Sequence, residues 1–226
     1  MGKKVTRKQL LKEPDEFITF SGRLMEFTAQ NKTALAIGLC SVLAAIMIVS
    51  GIRYASNQSE NDAFALSQEH ISKYGTLMKD NDPKKAYQGV KDDFEKFFQQ
   101  YSGKTAAKLA RAAFANICYE AGELTKAIEL YQSAMADFGT DPSLKASMSN
   151  GLAYSYEANK DDANALKYFE MASESESPVK GEALFNVARL YAKKGDTAKS
   201  IEAYKKIVSD HSDSVYVQIA KERSAG

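Results

Sequence analysis

The feature that most constrains this chain is an unbroken apolar run from Thr33 to Ile52, which contains 20 residues and no charged side chain. As a helix rising 1.5 Å per residue, such a run spans roughly 30 Å, the thickness of the hydrocarbon core of a bilayer. A helix buried in a soluble core rarely runs this far without a polar face. Lys32 and Arg53 bound the run on its two sides. We therefore predict a transmembrane helix over residues 33–52.

The run does not fit a segment that is removed after targeting. A cleaved signal peptide has a short basic start and an apolar stretch of roughly 7–15 residues, whereas 32 residues precede this longer run. A lipid-modified Cys40 would need a small residue before it, and Leu39 occupies that position. The pattern predicts a permanent signal anchor.

Charge is distributed unevenly on the two sides of the run. Residues 1–32 carry seven basic and four acidic side chains, a net charge of +3. Residues 53–226 carry 23 basic and 25 acidic side chains, a net charge of −2. Because basic segments favour the cytoplasmic side, we expect residues 1–32 inside the cell and residues 53–226 outside the cytoplasm.

The net charge of +1 for the whole chain also argues against nucleic-acid binding.

The segment before the run has its own apolar pattern. Pro14 is followed by two acidic residues, as in a first helical turn, and Phe17, Phe20, Leu24 and Phe27 then recur at helical spacing. The stripe is compatible with an amphipathic helix on the inner leaflet or against a cytoplasmic partner. It is equally compatible with a simple continuation of the membrane helix.

Three blocks of the remaining chain can be superimposed, over residues 108–141, 146–179 and 181–214. Small, aromatic or, at Ile207, aliphatic residues recur at five positions spaced by 38 and then 35 residues. The recurring sets are Ala115, Ala153 and Ala188; Cys118, Tyr156 and Tyr191; Ala127, Ala165 and Ser200; Tyr131, Phe169 and Tyr204; and Ala134, Ala172 and Ile207. A period near 34 with small residues at fixed places is typical of stacked helix–turn–helix units.

Helix boundary signals agree with this frame. Asp82-Pro83, Asp141-Pro142 and Ser177-Pro178 each predict an N-cap followed by proline in the first turn. Gly122 and Gly195 stand where the first helix of a unit must end, which predicts left-handed terminators.

The blocks resemble tetratricopeptide repeats, through the aligned Ala positions and Gly195-Asp196, Tyr191 and Tyr204. The consensus Trp is absent; Arg111, Ser149 and Leu184 stand in its place. The resemblance implies an all-α fold, with one transmembrane helix followed by an α-solenoid of about three clear repeats. We expect residues 53–105 to form a linker helix and a degenerate N-terminal unit, and residues 106–226 to form the repeats with a capping helix after Ser214.

Residue patterns for catalysis or metal binding are missing from the sequence. The two histidines, His70 and His211, lack nearby His or Cys partners, and a zinc site needs three or four ligands. The Gly103-Lys104-Thr105 tripeptide lacks the earlier glycine of a phosphate-binding loop. Cys118 lies in an apolar stretch and is predicted to be a small buried side chain. We expect no enzyme activity, no cofactor, no metal and no small-molecule substrate.

A binding groove is the expected functional surface. In tetratricopeptide arrays the first helix of each pair lines a concave groove, where aromatic and Arg side chains anchor partners and Asn bonds peptide backbones. The alternative is that these are ordinary exposed helix residues. By the repeat register the groove positions are Ala112, Asn116, Tyr119, Asn150, Tyr154, Phe185 and Arg189.

The layout as a whole resembles the bacterial ancillary subunits of the Sec translocon. That resemblance implies a single-pass protein of the inner membrane with a periplasmic interaction domain. Its partners would be translocon subunits, periplasmic folding factors and emerging client chains. A scaffold for cell-envelope assembly or cell division is the rival interpretation, because residues 200–214 also resemble envelope repeat proteins.

Overall fold

The structure is a computed structural model that describes residues 16–211 and 214–225, with side chains from residue 20 onward. Within those ranges every regular element is a helix, which confirms the predicted all-α class. The proposed helix start at Pro14 and the Phe17 side chain lie outside what is described. The described chain divides after Gln58 into two compact units.

The first unit contains helix α1, Glu16–Gln30, and the beginning of helix α2, Lys32–Leu77. Asn31 separates the two helices, and its side-chain amide donates to the Phe27 carbonyl at 2.9 Å. One helix within the described residues, the one that begins at Lys32, is long and apolar enough to cross a membrane. Its apolar side chains are largely exposed; Ile37 and Met47, for example, are 63% and 68% exposed.

The second unit begins at Ser59 and is built from paired helices. Helix α2 does not stop at the predicted end of the span but continues through residue 77 into this unit, followed by a short 3₁₀ turn at Met78–Asp80. The helices that follow are α3 Pro83–Tyr101, α4 Thr105–Glu120, α5 Leu124–Phe138, α6 Pro142–Ala158, α7 Asp162–Glu174, α8 Lys180–Lys194, α9 Thr197–Asp210 and α10 Val217–Ser224. Each helix from α3 onward packs against the next, as expected for a solenoid.

The recurring small residues lie where neighbouring helices meet. Ala115, Ala153 and Ala188 are completely buried, and so are Ala134 and Ala172. A methyl side chain at these positions allows two helix axes to approach closely, and the larger rings fill the space that remains. The repeat pattern in the sequence therefore corresponds to the buried contact positions of three helix pairs: α4–α5, α6–α7 and α8–α9.

Aromatic rings pack beside buried alanines such as Ala63 and Ala86 at the N-terminal end of the second unit. Phe94 and Phe97 of α3 are almost fully buried, and His70 of α2 lies edge-on to both. Phe94 also stacks on Phe114 of α4, with ring centroids 4.4 Å apart. Stacked and edge-on rings of this kind add to the area that they bury, so they hold α2, α3 and α4 together.

Polar contacts join α2 to α4 at two levels. Lys104, which precedes α4, does not cap the helix with its own side chain. Instead the backbone N–H of Ala106 donates to Glu60 Oε1 of α2 at 2.7 Å, so a distant carboxylate caps the helix and meets its positive end. Further along, the Tyr74 hydroxyl donates to Glu120 Oε2 at 2.6 Å. Burial and this carboxylate raise the pKa of Tyr74.

The boundary signals are confirmed at four places and wrong at one. Asp82 and Asp141 cap helices that begin with proline, as predicted. Gly122 and Gly195 adopt positive φ angles of 79° and 85° where the first helices end. The Ser177-Pro178 prediction was wrong: Ser177 to Val179 form a turn, and α8 begins at Lys180.

Candidate functional site

Five of the seven predicted groove residues line one pocket between α4 and α6. The pocket has a volume of about 290 Å³, and we call it the central groove. Tyr131, Ser147, Met148 and Gly151, which the sequence had not marked as site residues, complete its lining. None of its lining side chains is charged. The predicted members that meet here are Ala112, Asn116, Tyr119, Asn150 and Tyr154.

Tyr131 of α5 fixes the amide of Asn116 on α4. The Tyr131 side chain is 3% exposed, and its hydroxyl donates to Asn116 Oδ1. Burial raises the pKa of Tyr131, so the hydroxyl stays protonated as a donor. Because Oδ1 is used in this way, the Asn116 amide N–H groups are the ones available to the groove. In the sequence, Tyr131 stands out only as one of the recurring aromatic positions of the repeats.

Gly151 of α6 allows that arrangement. A Cβ atom at position 151 would lie 2.4 Å from Cζ and 2.6 Å from the hydroxyl oxygen of Tyr131. Such separations are far below van der Waals contact, so the ring lies directly against the helix backbone. The repeat alignment offers no signal for this glycine, because its equivalents are Ala113 and Asn186.

Asn150 is the unusual member of the central groove. Its side chain is only 7% exposed, and its Oδ1 atom is buried without a hydrogen-bond partner among the described residues. A buried polar atom that lacks a partner costs about 1–3 kcal/mol. The equivalent positions in the flanking repeats hold Ala112 and Phe185, so helix packing at this position does not demand a polar side chain.

The side chain of Tyr154 contacts both the central groove and a network of hydrogen bonds. Its ring lines the groove, while its hydroxyl donates to Glu182 Oε1 at 2.6 Å and accepts from Asn186 Nδ2 at 2.7 Å. Burial, and then the bond to Glu182, raise the pKa of Tyr154. Both partners belong to α8, so the hydroxyl ties α6 to the next repeat.

The remaining two predicted residues make contacts inside the protein. Arg189 donates from two nitrogens to the two carboxylate oxygens of Glu157, each at 2.6 Å, a bidentate pair that joins α8 to α6. Phe185 stacks on Tyr216 with ring centroids 4.6 Å apart. Arg189 and Phe185 therefore lie outside the lining of the central groove, and their side chains already contact other residues of the protein.

Outside the central groove, Cys118 and the potential metal ligands are the described groups that bear on reactivity. Cys118 is fully buried, as predicted, and burial raises the pKa of its thiol to about 12. A thiol of that pKa is a poor nucleophile at neutral pH. Within the described ranges, no three His, Cys, Asp or Glu side chains come close enough to share a metal ion.

Comparison with known proteins identifies the repeats. Residues 112–176 and residues 182–214 match family models described as tetratricopeptide repeat. These ranges cover most of the pairs α4–α5 and α6–α7 and then the pair α8–α9, which are the three blocks found in the sequence. The chain therefore carries tetratricopeptide repeats, which are protein-binding modules. No curated protein sequence matches the chain.

Solved structures support the same fold. BtubC (BKLC) from P. vanneervenii is 15% identical over 69% of this chain and 74% of its own, with a TM-score of 0.50. PilF from Pseudomonas aeruginosa is 12% identical over 76% of this chain and 89% of its own, with a TM-score of 0.51. At such low identity the likeness concerns the fold alone.

Proposed function

We propose that this protein is a membrane-anchored interaction module whose central groove holds an extended segment of a partner protein. The observation that carries the proposal is Asn150, whose buried amide oxygen has no hydrogen-bond partner in the described part of the chain and which lines an uncharged groove. An extended peptide offers one N–H and one C=O per residue. It can therefore donate to Asn150 and accept from the Asn116 amide.

The predicted membrane helix supports this role because it would hold the repeats at a membrane surface. The side chains of residues 33–52 are uncharged, mostly apolar and exposed in the first unit, and such a surface needs an apolar environment. With the basic segment inside, the repeats would lie in the periplasm. A tag at the C-terminus should then be digested by protease added to spheroplasts; a tag that stays intact until the membrane is lysed would contradict this topology.

For the partner, we propose the Sec translocon, periplasmic folding factors and emerging client chains, following the resemblance in layout. A neutral groove suits this assignment, because an unfolded client passes as extended chain of mixed sequence. Binding would be non-covalent, and the anchor would raise the local concentration of the groove at the membrane surface.

A photocrosslinking experiment tests both the groove and the partner. A photoreactive residue replaces Tyr119 in the groove, and the control replaces Ser133, an exposed residue of α5. We expect adducts from position 119 that are absent at position 133 and that Asn150→Leu removes. Equal yields of adducts at positions 119 and 133 would refute the proposal that the central groove binds the partner. Adducts dominated by cell-division proteins would refute the translocon assignment and favour the envelope scaffold.

A further inference from the structure

A second pocket lies one hydrogen bond away from the central groove. Six of the residues that line this space of about 430 Å³ are Ser177, Gly181, Glu182, His211, Ser214 and Tyr216, and we call it the terminal pocket. Tyr154 connects the two sites, because its ring lines the central groove and its hydroxyl donates to Glu182 at 2.6 Å. A residue that lines one site is therefore hydrogen-bonded to a residue that lines the other.

The terminal pocket differs from the central groove in charge. Glu182 is half-buried, and among the described residues it forms no ion pair. The nearest basic residues along α8 are engaged elsewhere, since Lys180 pairs with Glu176 and Arg189 pairs with Glu157. Glu182 is thus a carboxylate without a cation in a partly dry site, where an opposite charge is attracted more strongly than in water.

Two further polar atoms in the same pocket also lack partners. Ser177 Oγ and His211 Nε2 are buried without a hydrogen bond within the described ranges. Leaving buried polar atoms unsatisfied is costly, and a ligand with donors and acceptors would relieve that cost. A main-chain peptide unit has both, so the terminal pocket can hold backbone as well as charge.

We propose that the partner segment is bipartite: an uncharged stretch lies in the central groove, and a Lys or Arg side chain pairs with Glu182 in the terminal pocket. This specificity rests on the proposed function, because it assumes that the groove binds extended peptide. A charge-assisted hydrogen bond to a half-buried carboxylate contributes more than a neutral one. Removing either partner should weaken binding about 10- to 100-fold.

The test is a selection with two matched carboxylate variants. The full-length protein in nanodiscs is used to select binders from a display library of random nonapeptides, after depletion on empty nanodiscs. Glu182→Gln keeps the shape and an acceptor for Tyr154 but removes the charge. Glu170→Gln is the control, because Glu170 also accepts from a tyrosine hydroxyl, that of Tyr191, but lies in a different pocket.

The proposal requires that the selected peptides carry Lys or Arg at one fixed position. This enrichment of a basic residue should be lost with Glu182→Gln and retained with Glu170→Gln. Norleucine in place of that basic residue should weaken binding to the wild type about as much as Glu182→Gln does, and should have little effect on Glu182→Gln itself. Binders with no basic preference, or with one that survives Glu182→Gln, would overturn the bipartite specificity and leave the groove function standing. No enrichment over empty nanodiscs would count against both.

Discussion

Gly151→Ala is the substitution whose outcome follows most directly from the geometry of the central groove. The added Cβ would meet three atoms of the Tyr131 phenol at 2.4–2.6 Å, so the ring has to shift from its buried position towards the central groove that it lines. Overpacking of this kind costs about 1–3 kcal/mol. Displacing the ring also breaks its hydrogen bond to Asn116, which costs about 1 kcal/mol.

Helix propensity acts in the opposite direction. Alanine is about 1 kcal/mol better than glycine in a helix interior, so the net loss of stability is about 1–3 kcal/mol. For a domain as long as the second unit, which begins at Ser59, each kcal/mol lost corresponds to a fall in Tm of about 2–4 °C. The matched control is Gly75→Ala in α2, where the added Cβ meets no atom within 4 Å and the same propensity term should stabilise.

Thermal unfolding followed by circular dichroism at 222 nm measures both variants, in full-length protein held in detergent. We expect Tm to fall for Gly151→Ala and to stay level or rise for Gly75→Ala. If both variants rise together, the Tyr131 ring is not held against α6. The fixed orientation of the Asn116 amide would then also be wrong.

Three further predictions concern the cap, the groove and alkaline pH. Glu60→Ala removes the cap of α4 and should lower stability by about 1 kcal/mol, whereas Glu69→Ala, an exposed change on the same helix, should not alter Tm. Asn150→Leu should raise stability by about 1–2 kcal/mol, because it removes an unsatisfied buried acceptor, while abolishing peptide capture in the display assay; a loss of stability would show that the amide is bonded. Hydrogen bonding to Glu170 raises the pKa of Tyr191 to about 12. The pKa of tyrosine in the unfolded chain is near 10, so the stabilisation from this hydrogen bond is complete below pH 10 and is lost as the pH rises towards 12. Denaturant midpoints should therefore fall between pH 10 and pH 12. The fall should be less steep in Tyr191→Phe, which lacks the titrating hydroxyl.

Repeat spacing predicted the helical frame because the contact positions demand particular sizes. Ala115, Ala153 and Ala188 tolerate only small side chains between close helices, so the restriction shows in the sequence itself. The turn at Ser177-Pro178 was misread because proline favours a first turn without fixing which residue starts the helix. There α8 begins only at Lys180, after a turn that brings Ser177 into the terminal pocket.

The position of each residue in the repeat indicated which side chains share a helix face, but it did not indicate which of them are already bonded to other residues. Position along α4, α6 and α8 identified which side chains share a face, since that depends only on helical spacing. Which of them are already bonded depends on contacts between helices, such as Glu157 with Arg189 and Tyr216 with Phe185. Those partners lie 32 and 31 residues away in the sequence, so the helical spacing alone does not distinguish bonded from unbonded positions among the seven.

Asn150 shows why the distinction between bonded and unbonded groove residues matters for function. Its neighbours at the equivalent position are Ala112 and Phe185, so the solenoid packs well with an apolar side chain there. The asparagine instead leaves a buried acceptor that no described residue bonds, which lowers the stability of the free protein. A bound peptide N–H would supply the missing bond, so the residue that weakens the free protein is the one that gains most from a ligand. Stability and binding should therefore respond in opposite directions at this position, which a purely structural role for Asn150 does not allow.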